Sequence, residues 1–122
     1  MNDLVIVQTT QGLINYLISV HGEASLRSMG AVIGFDARHN SSRWARLAAG
    51  VFLRRGVKVH LFSGICPTPF VPFTVKRRGG AIGVMVTASH NPKDDNGYKV
   101  FWSNGPQVRV ERENDEKLLS CQ

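Results

Sequence analysis

Residues Thr87-Ala88-Ser89-His90-Asn91-Pro92 set a hydroxyl, an imidazole and a carboxamide side by side. They follow the apolar run Ala81-Ile82-Gly83-Val84-Met85-Val86 and precede the polar stretch Lys93-Asp94-Asp95-Asn96-Gly97-Tyr98-Lys99. A serine delivered by a buried strand onto a loop is well placed to act as a nucleophile, since loops on a rigid scaffold carry much of protein chemistry. Acyl transfer by Ser89 would need an imidazole within hydrogen-bond reach, oriented by a third group. His90 is the next residue along the chain, and adjacent side chains in extended backbone point apart. The Gly-x-Ser-x-Gly elbow of a hydrolase is also missing. Phosphoryl transfer fits better. A serine can hold a phosphoryl group as a covalent intermediate, and the protein then supplies positioning, positive charge and a metal. Arg38 and Lys99 offer the charge, and a phosphoserine oxygen suits magnesium, a hard cation.

Such a loop needs a scaffold, and the apolar periodicity supplies one. Leu4, Val7, Ile14, Leu17 and Ile18 follow helical spacing over 2–21, with Gly22 placed to end the helix. The segment 31–35, bounded by Gly30 and Asp36, reads as a buried strand. Trp44, Leu47, Ala48, Val51 and Phe52 repeat at helical period, with Ser41 or Ser42 as the expected cap and Gly56 beyond Arg54 and Arg55. Residues 57–62 alternate as a half-exposed strand. Thr68 followed by Pro69 predicts an N-cap and first helical residue, with a short helix to about residue 76. Residues 81–86 form the third strand and 98–102 a fourth, which follows too short a loop for a crossover and is expected to run antiparallel. Asn104-Gly105 signals a turn. The charged residues from 111 to 122 are expected to be a frayed helix or to lack regular structure.

Strand and helix alternate as in an α/β layered sheet with right-handed crossovers. Ligands of such sheets gather at the carboxyl ends of the strands. Asp36-Ala37-Arg38-His39, Pro67-Thr68-Pro69 and Ser89-His90 are all expected there.

The chain has 122 residues, enough for one domain with a modest core. With 43% hydrophobic and 20% charged residues it has a globular rather than a disordered composition. A net charge of +6 favours anionic partners. The basic residues are scattered without a recognition motif, so phosphorylated metabolites are expected rather than nucleic acid. No apolar run is long enough for a membrane span. Neither a signal peptide nor a CxxC pair is found, and Cys66 and Cys121 read as reduced thiols of a cytosolic protein.

The segment 87–92, followed by Asn96-Gly97-Tyr98-Lys99, resembles the signature of the α-D-phosphohexomutase superfamily of phosphoglucomutases and phosphomannomutases. Phe35-Asp36-Ala37-Arg38 is similar to its first active-site arginine segment and Pro67-Thr68-Pro69 to its Pro-Thr-Pro element. The residues 93–102, with Met1-Asn2-Asp3-Leu4 and Gln8-Thr9-Thr10-Gln11-Gly12, look most like the phosphoglucomutase-2 branch of phosphopentomutases and glucose-1,6-bisphosphate synthases.

The resemblance implies a three-layer α/β/α domain with a mostly parallel mixed sheet: an incomplete phosphoglucomutase domain I over 1–107, with a divergent or disordered tail at 108–122. It also implies an enzyme interconverting sugar 1-phosphates with 5- or 6-phosphates, with Mg2+ as cofactor. Ser89 would be the phosphoserine, its phosphate one magnesium ligand. His90 and Lys99 would assist proton transfer or charge stabilisation, and Arg38 would steady the transferring phosphate. Arg38, Ser89, His90, Asn91 and Lys99 would together contact the phosphorylated sugar or sugar bisphosphate. Each residue has a plainer reading: a solvated strand lysine, a surface ion-pairing arginine, a loop histidine. Asp36 reads as a cap or turn residue and Asn91-Pro92 as a loop former, while Trp44 and Trp102 read as packing residues.

Members of that superfamily are about four times longer and use four domains. Their Asp-x-Asp-x-Asp-Arg metal loop, sugar-recognition loop, phosphate-binding domain and Gly-Thr-Ala-Gly-Leu-Arg type start have no counterpart here. The expectation is therefore a fragment that carries the nucleophile without most of its machinery, is inactive alone, and exposes an apolar face where missing domains would pack. A non-catalytic interaction module is the alternative, and bisphosphate synthesis is the alternative to mutase activity.

Overall fold

The computed structural model describes residues 3–37, 40–87, 97–103, 107–113 and 116–121, the last two spans as backbone. The first helix, α1 (Asp3–His21), buries Ile6, Thr9, Thr10, Leu13, Ile14 and Leu17, a single face at three- and four-residue spacing. Leu4, counted above with that face, is exposed. Gly22 ends the helix as expected: it takes φ +83°, and its amide donates to the Ile18 carbonyl at 2.8 Å. A second helix, α2 (Glu23–Met29), was not foreseen; it buries only Leu26, too little to show as periodicity.

Strand β1 (Ala31–Phe35) is buried at every residue. Helix α3 (Ser41–Arg54) follows, but Ser41 does not cap it. Asn40 is the N-cap, in the left-handed region, and the Ser41 hydroxyl turns to Asp36 instead. Strand β2 (Val59–Leu61) is shorter than the alternation suggested. Helix α4 (Phe70–Arg78) begins after Pro69, not after Thr68. The Thr68 carbonyl accepts from the Val71 amide at 3.1 Å, so Thr68 and Pro69 form the turn that leads in. Pro72 is tolerated because a first-turn residue lacks an intrahelical partner for its amide.

Strands β3 (Ile82–Val86) and β4 (Tyr98–Trp102) pair antiparallel, with Val84 opposite Val100. Residues 107–121, in place of a frayed or irregular tail, carry two further strands, β5 (Gln107–Glu113) and β6 (Glu116–Cys121). The sheet order is β2-β1-β3-β4-β5-β6. It is mixed: β2-β1-β3 form the parallel part and β4, β5 and β6 extend it antiparallel. The turn expected at Asn104-Gly105 lies outside the described residues.

One sheet face (Ala31, Ile33, Phe35, Ile82, Val84, Val86, Tyr98, Val100) packs into a single core with α1, α2 and α3. On the other face Val32, Met85 and Phe101 meet Val71 and Val75 of α4. Helices on both sides explain why β1 and β3 are apolar throughout rather than alternating. The domain is thus a three-layer α/β/α sandwich.

Candidate active site

The parallel strands bring three segments to one end of the sheet, held by backbone bonds. The Asp36 amide donates to the Val86 carbonyl at 3.2 Å, and the Cys66 amide to the Phe35 carbonyl at 3.0 Å. The Thr87 amide donates to the Gly97 carbonyl at 2.6 Å, joining the two residues that bracket 88–96. The exits of β1 and β3 are therefore tied to each other, and the approach to Pro67-Thr68-Pro69 is tied to β1. This is the strand-end edge at which ligands of α/β sheets are bound.

Beneath that edge, side chains fix the backbone. The Ser41 hydroxyl, fully buried at the start of α3, donates to Asp36 Oδ1 at 2.6 Å. Asp36 therefore serves the turn after β1, the role its sequence context suggested. Tyr98, the first residue of β4, is buried, and its hydroxyl lies 2.9 Å from Thr10 Oγ1 in α1. Burial pushes the Tyr98 phenol far above its ordinary value. It remains a neutral hydroxyl. Neither Thr10 nor Ser41 was marked as a site-supporting residue by the sequence. Each is a polar residue on an otherwise core-facing helical stripe, the one signal that could have singled them out.

Of the five candidate site residues, Lys99 alone lies among those described; Arg38, Ser89, His90 and Asn91 fall outside them. Lys99 sits on β4 opposite Met85, half-buried, on the sheet face shared with Phe101 and α4. It makes no hydrogen bond or ion pair among the described residues. Cys66, close to the same edge, is a free and buried thiol. Burial pushes it up, outweighing its bond with the Phe35 backbone, which disfavours the thiolate a nucleophile would need. Among the described residues no three His, Cys, Asp or Glu are grouped so as to hold a metal ion. None of the described helices is long and apolar enough to cross a membrane.

Residues 1–118 match the family described as phosphoglucomutase/phosphomannomutase, alpha/beta/alpha domain I. The chain is 57% identical over 114 residues to the phosphopentomutase of Pongo abelii, covering 88% of this chain and 18% of that one. It is 50% identical over 121 residues to a probable phosphoribomutase of Schizosaccharomyces pombe, covering 99% and 20%. The human glucose 1,6-bisphosphate synthase is 43% identical over 127 residues, with the same coverage. The chain thus spans about a fifth of the length of the curated relatives it matches. Fold, strand-end architecture and similarity agree: the chain belongs to the phosphoglucomutase/phosphomannomutase family and carries its alpha/beta/alpha domain I.

Proposed function

We propose that this chain carries the phosphoryl-accepting serine of a phosphosugar mutase that interconverts a sugar 1-phosphate with a 5- or 6-phosphate in carbohydrate metabolism. The observation that supports this most is the 57% identity to a phosphopentomutase across 88% of the chain. Pentose is accordingly the favoured sugar and glucose the second.

In this reading Ser89 attacks a phosphorus of the sugar bisphosphate. The new bond is from Ser89 Oγ to phosphorus, the bond from phosphorus to the sugar oxygen breaks, and the serine proton passes to that oxygen. A sugar monophosphate leaves, and the reverse step returns the phosphoryl group to the other end of the sugar. His90 and Lys99 assist the proton or stabilise charge at the sugar hydroxyl. Arg38 steadies the phosphate, and Asn91 completes the substrate contacts. Lys99 lies on a buried strand, so its stem is held while its ammonium can serve the edge.

Magnesium, when bound, neutralises charge on the transferring group. The phosphate of Ser89 is the hard oxygen donor this chain contributes, and the remaining ligands are assigned to other parts of the enzyme. Turnover is likewise assigned to the longer polypeptide that the relatives possess, this chain alone being inactive as a mutase. The boundary expected after residue 107 falls within β5 (Gln107–Glu113), and the family match runs on to residue 118. A cytosolic location belongs to the same reading, and the free Cys66 thiol fits it.

Bisphosphate synthesis is a second reading, favoured by a match to the human synthase that covers 99% of the chain. The test common to both is intact-mass measurement after incubation with glucose 1,6-bisphosphate and magnesium. One phosphoryl group should appear on Ser89 and none on a Ser89→Ala variant. Carried out on the longer polypeptide to which turnover is assigned, an unmodified wild-type protein, or a modified Ser89→Ala protein, overturns the phosphoserine assignment.

A further inference from the structure

The Thr10–Tyr98 pair is a buried polar contact between a helix and a strand that are 88 residues apart in sequence. Thr10 is fully buried, and its hydroxyl donates to the Ile6 carbonyl at 2.8 Å. Its one proton is thereby used, so Tyr98 must be the donor in the 2.9 Å contact. The result is a directed chain, from Tyr98 Oη to Thr10 Oγ1 to the backbone of α1.

The placement of this chain is what gives it consequence. Tyr98 follows Gly97, whose carbonyl receives the Thr87 amide, and it pairs with Val86 in the β3–β4 ladder. Val86 in turn receives the Asp36 amide. The last strand residue before 88–96 and the first one after it are thus fixed by the ladder, by the Thr87–Gly97 bond and by the hydroxyl of Tyr98. A phenylalanine would fill the same core volume without a group that must be desolvated. A buried hydroxyl at this position earns its place only through the bond it makes.

We propose that Tyr98 is a positioning residue: its hydroxyl, donated to Thr10, locks the stem formed by Val86, Thr87, Gly97 and Tyr98, and the rate at which Ser89 takes up a phosphoryl group depends on that lock. The part of this claim that concerns Ser89 rests on the phosphoserine reading above; the part that concerns the stem does not. Tyr98→Phe is a clean probe. Thr10 keeps its own bond to Ile6, so no buried donor is orphaned and the fold should persist.

Two measurements test the proposal, amide exchange on the 122-residue chain and phosphoryl uptake on the longer polypeptide to which turnover is assigned. In amide hydrogen exchange, Tyr98→Phe should speed exchange at Thr87 by about tenfold while Ile33 and Val84 in the sheet centre keep wild-type protection. In phosphoryl uptake from glucose 1,6-bisphosphate, it should lower the maximal rate by about tenfold and leave the half-saturating concentration unchanged. Thr10→Val should reproduce both effects, and Thr10→Ser, which keeps the hydroxyl, should restore them. Unchanged Thr87 exchange overturns the stem lock. Wild-type uptake kinetics in Tyr98→Phe overturn the positioning role. If the wild-type longer polypeptide takes up no phosphoryl group, the phosphoserine reading falls, and Thr87 exchange still decides whether the lock exists.

Discussion

Gly83 of β3 lies directly beneath Val75 of α4: a Cβ added to it would sit 2.6 Å from Val75 Cγ2 and 2.8 Å from Val71 Cγ1. Gly34 of β1 is equally confined, with Cys66 Sγ and Val71 Cγ2 each at 2.7 Å from the position of a Cβ. The two glycines form the floor on which α4 rests, and both side chains of Val71 and Val75 are fully buried against it. Since Val71 and Val75 have no room to retreat, Gly83→Ala must lift α4 from the sheet. It should destabilise by about 1–3 kcal/mol, as overpacked cores do. Gly50, inside α3, has nothing within 4 Å of a Cβ, so Gly50→Ala should stabilise by about 0.5–1 kcal/mol through helix propensity. Urea unfolding of both variants checks the contrast; equal effects would refute the close-approach argument.

Ser41→Ala removes the buried hydroxyl that donates to Asp36 in the turn after β1. A hydrogen bond to a carboxylate contributes about 1.5–3 kcal/mol, and the loss should fall in that range. The effect should be non-additive with Asp36→Ala, since the two residues share one interaction. Additive losses in the double variant would show that Ser41 acts otherwise, for example through the helix start.

The α/β order, the antiparallel β4 and the glycine end of α1 were legible in the sequence because each rests on local periodicity or on one residue's backbone freedom. Ser41 reads as a cap by residue type but does not act as one. A cap is recognised by residue type, but whether its hydroxyl turns to the helix or elsewhere depends on what tertiary structure puts in reach. Asp36, five residues earlier, takes the Ser41 hydroxyl. Helix α2 escaped notice because one buried leucine makes no period. The strands β5 and β6 were hidden by their charge: Glu111, Arg112, Glu113, Glu116 and Lys117 read as tail, while their backbones pair across the register Glu113 to Glu116. For the site, the Ser89 segment was legible as a motif. The Thr10–Tyr98 contact beneath it was not, because its two halves are 88 residues apart.

His60 on β2 gives a pH dependence of known sign. Its imidazole is held below the ordinary value of 6.5, first by partial desolvation and second by the nearby Arg78 guanidinium. A base with a depressed folded value contributes stability that is complete above about pH 6.5 and is lost as pH falls through the folded value. The urea midpoint should therefore decline on acidification below pH 6.5. His60→Gln should remove part of that decline, and Arg78→Gln a smaller part. A His60→Gln chain with the wild-type profile would show that other groups carry it.

Mutase turnover needs donors and oxygen ligands arranged around the transferring phosphoryl group. This chain spans about a fifth of the length of its relatives, and the other donors and ligands are assigned to the rest of the polypeptide. With ribose 1-phosphate or glucose 1-phosphate, a bisphosphate primer and magnesium, the 122-residue chain should show no isomerisation above background. Steady turnover would establish that the chain is a complete enzyme and would remove the assignment of catalysis to a longer polypeptide.

Phe70 and Phe73 lie one turn apart on α4, 53% and 62% exposed, and Ile65 in the connection leading to that helix is 65% exposed. Large apolar side chains clustered on one helix face are unusual on a lone domain and mark a surface that is normally covered. In the relatives, four-fifths of the polypeptide lies outside the matched region and is available to cover it. Isolated, this chain should therefore self-associate through α4 at micromolar to millimolar concentration. Phe70→Ser with Phe73→Ser should suppress association while leaving the fold intact, because the core contacts of α4 run through Val71 and Val75. Sedimentation velocity across a concentration series checks this. A wild-type chain that remains monomeric throughout would show that the α4 face needs no cover.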